Sequence, residues 1–233
     1  MRPGILGGVL SGVLDLLLPQ SCAGCGGAGA GLCEGCLGAM AAAPAARTPR
    51  PRPAGLPECW AAASYEGGVR RAVVAYKERG ATALAGALGT LLAYAVLTAV
   101  TRTGLAGGAL TLVPVPSARR SLRSRGHDPV GRLATLAARD LRALGLPAGV
   151  WPALRQSRRV ADQAGLSRAQ RAANLDGALR LSPAARTRPA GPVLVVDDIV
   201  TTGATLAEAA RALRAAGTDV ALAVTVAATR RRS

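Results

Sequence analysis

Apolar residues along this chain fall into two rhythms. Val193-Leu-Val-Val196 is a short continuous apolar run, three of its residues β-branched, which suits a parallel strand buried on both faces. Behind it, Leu206, Ala210 and Leu213 recur at helical spacing, with Glu208 near the start, Arg211 and Arg214 near the end, and Gly217 as the stop. The same alternation recurs upstream. Cys59 to about Tyr65 predicts a strand, Gly67-Gly68 leads into a helix carrying Val73, Val74 and Lys77, and Gly80 ends it. An Ala-rich helix over Ala81 to Thr101 follows, and Leu110 to Val115 predicts a strand whose exit is marked by Pro114 and Pro116. A helix over Val130 to Leu144, a strand around Trp151 and a closing strand over Val220 to Val226 complete an α/β pattern with a mainly parallel sheet.

The uncharged stretch Ala81 to Thr101 is long enough to span a bilayer. Its apolar content is mostly Ala, Gly and Thr, and Leu84, Leu88, Leu91 and Leu92 favour one face, so the expectation is a packed helix and no membrane span. Ile5 to Leu18 is apolar after Arg2, yet glycines and Asp15 interrupt it and no small-x-small cleavage site precedes the cysteines. A cytoplasmic protein is therefore expected.

Composition adds two constraints. Half the residues are hydrophobic but aromatics are only 2% and Phe is absent, so a core must be built from Ala, Leu and Val. The formal net charge of +16 rests almost wholly on arginine, Lys77 being the only lysine. Such a balance favours anionic partners such as a pyrophosphorylated sugar, nucleic acid or acidic lipid, although an Arg-, Ala- and Gly-rich composition produces the same number.

Chemistry concentrates in two places. Cys22-Ala-Gly-Cys25 and Cys33-Glu-Gly-Cys36 are two C-x-x-C knuckles seven residues apart, able to converge four thiolates on a structural Zn²⁺; two disulfides, a redox pair or an iron–sulfur cluster are the rivals. Cys59 is left over, a small buried residue or a spare ligand. Ala39 to Pro57 carries five prolines and three arginines with no apolar period, which reads as a semi-extended linker. The expected division is residues 1–38 for an N-terminal helix and zinc-ribbon-like module, 39–58 for the linker and 59–233 for the α/β domain.

The second place is the end of the Val193 strand. Asp197 and Asp198 are expected where that strand ends, and Thr201-Thr-Gly-Ala-Thr205 forms a small hydroxyl-rich turn before the helix. Such a turn presents backbone N–H groups to a phosphate, while the acids accept hydrogen bonds from sugar hydroxyls or lie close to Mg²⁺. Arg119, Arg120, Arg123 and Arg125 lie on another strand-to-helix loop, an anion trap if it faces the same crevice and a solvated basic surface otherwise. His127, the only histidine, reads as an ordinary polar residue or a proton carrier. Arg155 to Arg159 and Gln163 to Asn174 read as a loop and short helix, and the Arg230 to Arg232 tail as solvated.

The stretch VLVVDDIVTTGAT resembles the 5-phosphoribosyl 1-pyrophosphate (PRPP) motif of type I phosphoribosyltransferases. The ordered set of cysteine knuckles, Tyr65-x-Gly67 with Arg70 and Lys77, V-P-V-P with Arg125-Gly126, Gln163-x-Gly-Leu-Ser-Arg168, Arg171, Asn174-Leu and the PRPP motif resembles the ComF family across nearly the whole chain. The resemblance implies a type I phosphoribosyltransferase-like α/β fold joined to a zinc-ribbon-like module. It further implies PRPP–Mg²⁺ binding by Asp197, Asp198, Thr201, Thr202, Gly203, Ala204 and Thr205. Asp197, Asp198 and Lys77 are the implied catalytic residues, with Lys77 and the four arginines facing pyrophosphate. The acceptor would be an unidentified nitrogen nucleophile. The family's link to natural competence leaves a second reading open, an accessory factor contacting single-stranded DNA or the competence machinery, and a third, a PRPP-binding regulator; a homodimer is compatible with each. Two departures stand out: His127-Asp128-Pro129 follow Arg125-Gly126 where the family commonly has Phe-Asn-Gln, and Thr201 stands where 6-oxopurine phosphoribosyltransferases carry an Asp.

Overall fold

A computed structural model describes residues 21–29, 31–117, 128–157, 177–183, 185 and 189–229. The readings of Ile5 to Leu18, of Arg119, Arg120, Arg123, Arg125 and His127, of 158–176 and of the Arg230 tail lie outside the described residues.

Eight strands and five α-helices are described: α1 (Glu34–Ala41), β1 (Ala45–Ala46), β2 (Glu58–Ser64), α2 (Gly67–Glu78), α3 (Ala85–Arg102, after a 3-10 turn at Thr82–Leu84), β3 (Leu110–Pro114), α4 (Pro129–Ala143), β4 (Ala148–Val150), β5 (Leu154–Gln156), β6 (Leu179–Leu181), β7 (Val193–Val200), α5 (Ala204–Ala215) and β8 (Leu222–Ala228). The main sheet has the order β1-β2-β8-β7-β3-β4, every neighbouring pair parallel except the edge strand β1 on β2. All seven residues of β8 are buried, as a strand covered on both faces requires.

Alternate strand residues point to opposite faces and so define two cores. On one face Trp60, Leu112, Leu194, Val196 and Val224 pack beneath α3 and α4; on the other Cys59, Ala61, Val113, Val195 and Ala223 pack beneath α5. The small side chains let the layers approach closely. A Cβ at Gly89 of α3 would lie 2.7 Å from Leu136 of α4, so the two helices meet closely there. The stretch Thr82–Arg102 is the one helix among the described residues long and apolar enough to cross a membrane, and 61% of that window is buried here.

The structure adjusts three expectations. β7 runs on to Val200 instead of ending at the acids, because β8 accompanies it to Val200↔Ala228 while β3 leaves it at Pro114↔Val196. The Pro/Arg-rich stretch is extended, but it supplies β1 (Ala45↔Ala61, Ala46↔Trp60), and its Leu56 is buried. Leu154–Gln156, whose last two residues belong to the stretch expected as loop and short helix, pair antiparallel with β6 as a separate two-stranded ribbon. α5 holds that ribbon: buried Glu208 accepts from the Leu179 N–H at 2.9 Å, and Arg211 binds both Glu208 and the Leu179 carbonyl.

Candidate functional site

The topology locates a crevice before any side chain does. From β3 the chain proceeds through α4 on one face of the sheet to β4; from β7 it proceeds through α5 on the opposite face to β8. The helices that follow these two adjacent strands thus lie on opposite faces, and the gap at the strands' carboxyl ends is where open α/β sheets bind ligands. Asp197 and Asp198 stand at that gap, just past the last β3 pairing.

Asp198 is almost wholly buried, and α2 brings Lys77 to it across 121 residues of sequence, with Nζ 3.0 Å from Oδ1 and 2.7 Å from Oδ2. A carboxylate so placed needs such a partner, since a lone buried charge is costly. The Lys77 side chain remains 35% exposed. Asp197 differs. Its side chain accepts the Asp198 N–H at 2.8 Å, and burial first, then the neighbouring Asp198 charge, push its carboxyl well above the usual range, with Lys77 pulling the other way.

The turn after β7 is shaped by Gly203. Its φ of +78° is a left-handed conformation, and a Cβ there would lie 2.7 Å from Leu56 and 3.3 Å from Pro49, so the Pro/Arg-rich stretch backs the turn directly. As N-cap of α5 it has no side chain to offer and makes no cap bond of its own. Thr202 Oγ1 accepts the Ala204 N–H at 3.4 Å, and Thr201 is exposed. A helix N-terminus ringed by hydroxyls forms a site for a phosphate. The acids beside them have only acceptor oxygens when ionised, suited to sugar hydroxyls or a hard cation.

Cys22, Cys25, Cys33 and Cys36 come together as the spacing predicts, their sulfurs all within 4.8 Å of one another. Cys25 and Cys33 are 3.9 Å apart, against an edge of about 3.8 Å for a tetrahedron with zinc–sulfur bonds of about 2.3 Å. The knuckle amides support thiolates: Gly24 and Cys33 N–H groups point at Cys22 Sγ, both at 3.3 Å, and Gly27 N–H at Cys25 Sγ at 3.4 Å. Backbone N–H groups, Cys33's first, then those of Cys25 and Gly24, lower the Cys22 thiol to about 6, whereas the Cys33 side chain pushes Cys36 up to about 12. All five cysteines are free thiols, and the four-sulfur donor set fits a zinc ion. Cys59 lies apart, buried beside β1, its thiol pushed up to about 12 by burial. The module docks on α2: Arg71 Nη2 donates to the Gly24 carbonyl, and a Cβ at Gly68 would lie 3.1 Å from that same oxygen.

Sequence reasoning missed the Leu56–Pro49 backing of Gly203 and the Glu208–Arg211 clamp. A signal existed for the latter: an acid set between Ala207 and Ala209 with an arginine three residues on.

Residues 157–233 match the family model for the phosphoribosyl transferase domain. The match supports a type I phosphoribosyltransferase-like protein. It covers β6, β7, the acidic pair, the glycine turn, α5 and β8, while Lys77 and the four cysteines lie outside it. No curated protein matches the chain.

Proposed function

We propose that the crevice between β3 and β7 binds PRPP–Mg²⁺ and transfers its phosphoribosyl group to a nitrogen acceptor, as a cytoplasmic, ComF-like protein with a structural zinc module. One observation carries this reading: two adjoining carboxylates and a glycine-formed, hydroxyl-ringed helix N-terminus share the gap where the sheet's connections diverge.

In this reading the amides of Gly203 to Thr205 and the threonine hydroxyls hold the 5′-phosphate, and Asp197 and Asp198 accept from the ribose 2′- and 3′-hydroxyls. Magnesium bound with the pyrophosphate supplies charge neutralisation of the leaving group. The C1–oxygen bond to pyrophosphate breaks as the acceptor nitrogen bonds C1, and the acceptor's proton leaves to solvent or a nearby base. Lys77 contributes a fixed positive charge where the oxocarbenium-like ribose separates from pyrophosphate, with Arg119, Arg120, Arg123 and Arg125 expected on the same side. The Lys77–Asp198 pair holds both groups in place before substrate arrives. Thr201 has no useful proton near neutrality, so hypoxanthine and guanine are not expected as acceptors.

PRPP–Mg²⁺ should raise the melting temperature, by an amount equivalent to about 2.7 kcal/mol at a hundredfold excess over Kd. Asp197→Ala/Asp198→Ala should abolish the shift; an unchanged shift removes the assignment. Pyrophosphate release across a panel of acceptors then separates a transferase from a PRPP-binding regulator. The charge of +16 favours a second reading, backbone contact with single-stranded DNA. That reading demands affinity falling steeply with salt, and negligible binding at low salt discards it.

A further inference from the structure

One helix, α2, carries contacts to both the cysteine module and the crevice. The module meets it at a single residue of the first knuckle. The Gly24 N–H lies 3.3 Å from Cys22 Sγ, and a Cβ on Gly24 would lie 2.7 Å from Cys36 Sγ. On its other side the Gly24 carbonyl accepts from Arg71 Nη2 of α2. A Cβ at Gly68 would lie 3.1 Å from that oxygen and 3.2 Å from Met40 Cε of α1. The helix opens on Gly67-Gly68, and its N-cap, Glu66, makes no side-chain cap bond. Two glycines and no such cap leave the first turn weakly held from within.

The buried residues of α2 are Val69, Ala72, Val73 and Tyr76, a stripe at helical spacing. At about 100° per residue, Gly68 and Arg71 fall along one border of that stripe and Lys77 along the other. The Tyr76 hydroxyl ties the far end down by donating to the Pro129 carbonyl at 2.9 Å. Burial is non-directional, so a helix lying on an apolar stripe can still roll over it. A roll that lifts one border lowers the other. The Arg71 hydrogen bond resists it on one side, and the Lys77–Asp198 pair resists it on the other.

We propose that Arg71 is a positioning residue: docked on the Gly24 carbonyl, it fixes the roll of α2 and so holds Lys77 against Asp198. The ion pair of the crevice then depends on the folded cysteine module, and with it on the metal its four thiolates fit. A rigid helix is a sufficient carrier for such coupling, and the module supplies the element with two states, since small cysteine modules fold as they take up metal. The placement of Lys77 stands on this geometry; its consequence for PRPP rests on the crevice reading.

Lys77 is the only lysine in the chain, so amine acylation followed by peptide mass spectrometry reads its ion pair directly. The full, zinc-loaded chain is treated with the N-hydroxysuccinimide ester of acetic acid. Arg71→Met, which keeps the apolar stem and removes the donors, should speed acylation of Lys77 at least about threefold, and a zinc chelator should do the same to the parent chain. Far-UV circular dichroism checks that the sheet persists in each case. Val220→Ala, which trims the core beneath α5, should lower the melting temperature without speeding acylation. PRPP–Mg²⁺ should bind Arg71→Met at least about threefold more weakly than the parent. Unchanged acylation in Arg71→Met or after chelation, or an equal acceleration in Val220→Ala, overturns the proposal. A parent chain that binds no PRPP removes the crevice reading, while the acylation rates still decide the role of Arg71.

Discussion

The cysteine module and the β7–α5 crevice face the same problem, fixing polar groups at defined spacings, and solve it by opposite means. Around the crevice the groups are held by burial: β7 is flanked by β3 and β8, Asp198 is ion-paired, and Gly203 is packed against Leu56 and Pro49. In the module Cys25 is exposed, Cys33 and Cys36 are half-buried, and among its described residues only Cys22, Gly24 and Met40 are fully buried. Packing therefore preorganises the first site, whereas the second has four thiols placed to take a metal and little burial around them.

The largest effect should come from removing that metal. Structural zinc supplies on the order of 10 kcal/mol to small cysteine modules. Chelation, or Cys22→Ser, should expose residues 21–43 to protease while far-UV circular dichroism of the sheet persists; equal protease resistance with and without metal would erase the contrast. Next comes Gly203→Ala, which combines a positive φ with overlap onto Leu56 and should cost about 1–3 kcal/mol in thermal or urea unfolding, and weaken PRPP binding with it. Lys77→Met leaves Asp198 buried without its ion-pair partner. Because the lysine is itself 35% exposed, the expected cost is about 1–2 kcal/mol, measured by urea titration at neutral pH.

The smallest effect has the opposite sign and sharpens the comparison most. Asp197 has a folded-state pKa raised by burial, so its contribution to stability is present below its unfolded value of about 3.9 and lost as pH rises through the folded one. Asp197→Asn should therefore melt higher than the parent protein at pH 7, with the gap closing toward pH 4, while its PRPP-induced shift disappears. A variant that melts lower at neutral pH would mean that the carboxylate is stabilising in the free protein, against the electrostatics of the site.

What could be read from sequence depended on how far apart the cooperating residues lie. β7, α5, α3 and α4 announce themselves because a strand or helix writes its period into neighbouring positions. The four cysteines were legible for a similar reason, since ligand spacing within each knuckle is local. The ribbon β5–β6 was not, because three residues carry no period and its anchor, Glu208, lies 29 residues beyond Leu179. The Pro/Arg-rich stretch hid its roles equally well. Nothing in its composition says that Ala45 and Ala46 will edge the sheet or that Leu56 will press on Gly203. Lys77 could be linked to Asp198 only through resemblance to a family, as no pattern within the chain joins them.

The order of the strands has a consequence in time. β8, last of the described strands to be synthesised, lies between β2 and β7. Until residues 222–228 have left the ribosome, β2 and β7 cannot be bridged, and each waits with an open hydrogen-bonding edge. The sheet therefore closes at its centre only once β8 has been made. During that interval the nascent protein depends on whatever shields two apolar strand edges, and a ribosome stalled before residue 222 would release a chain poised to aggregate.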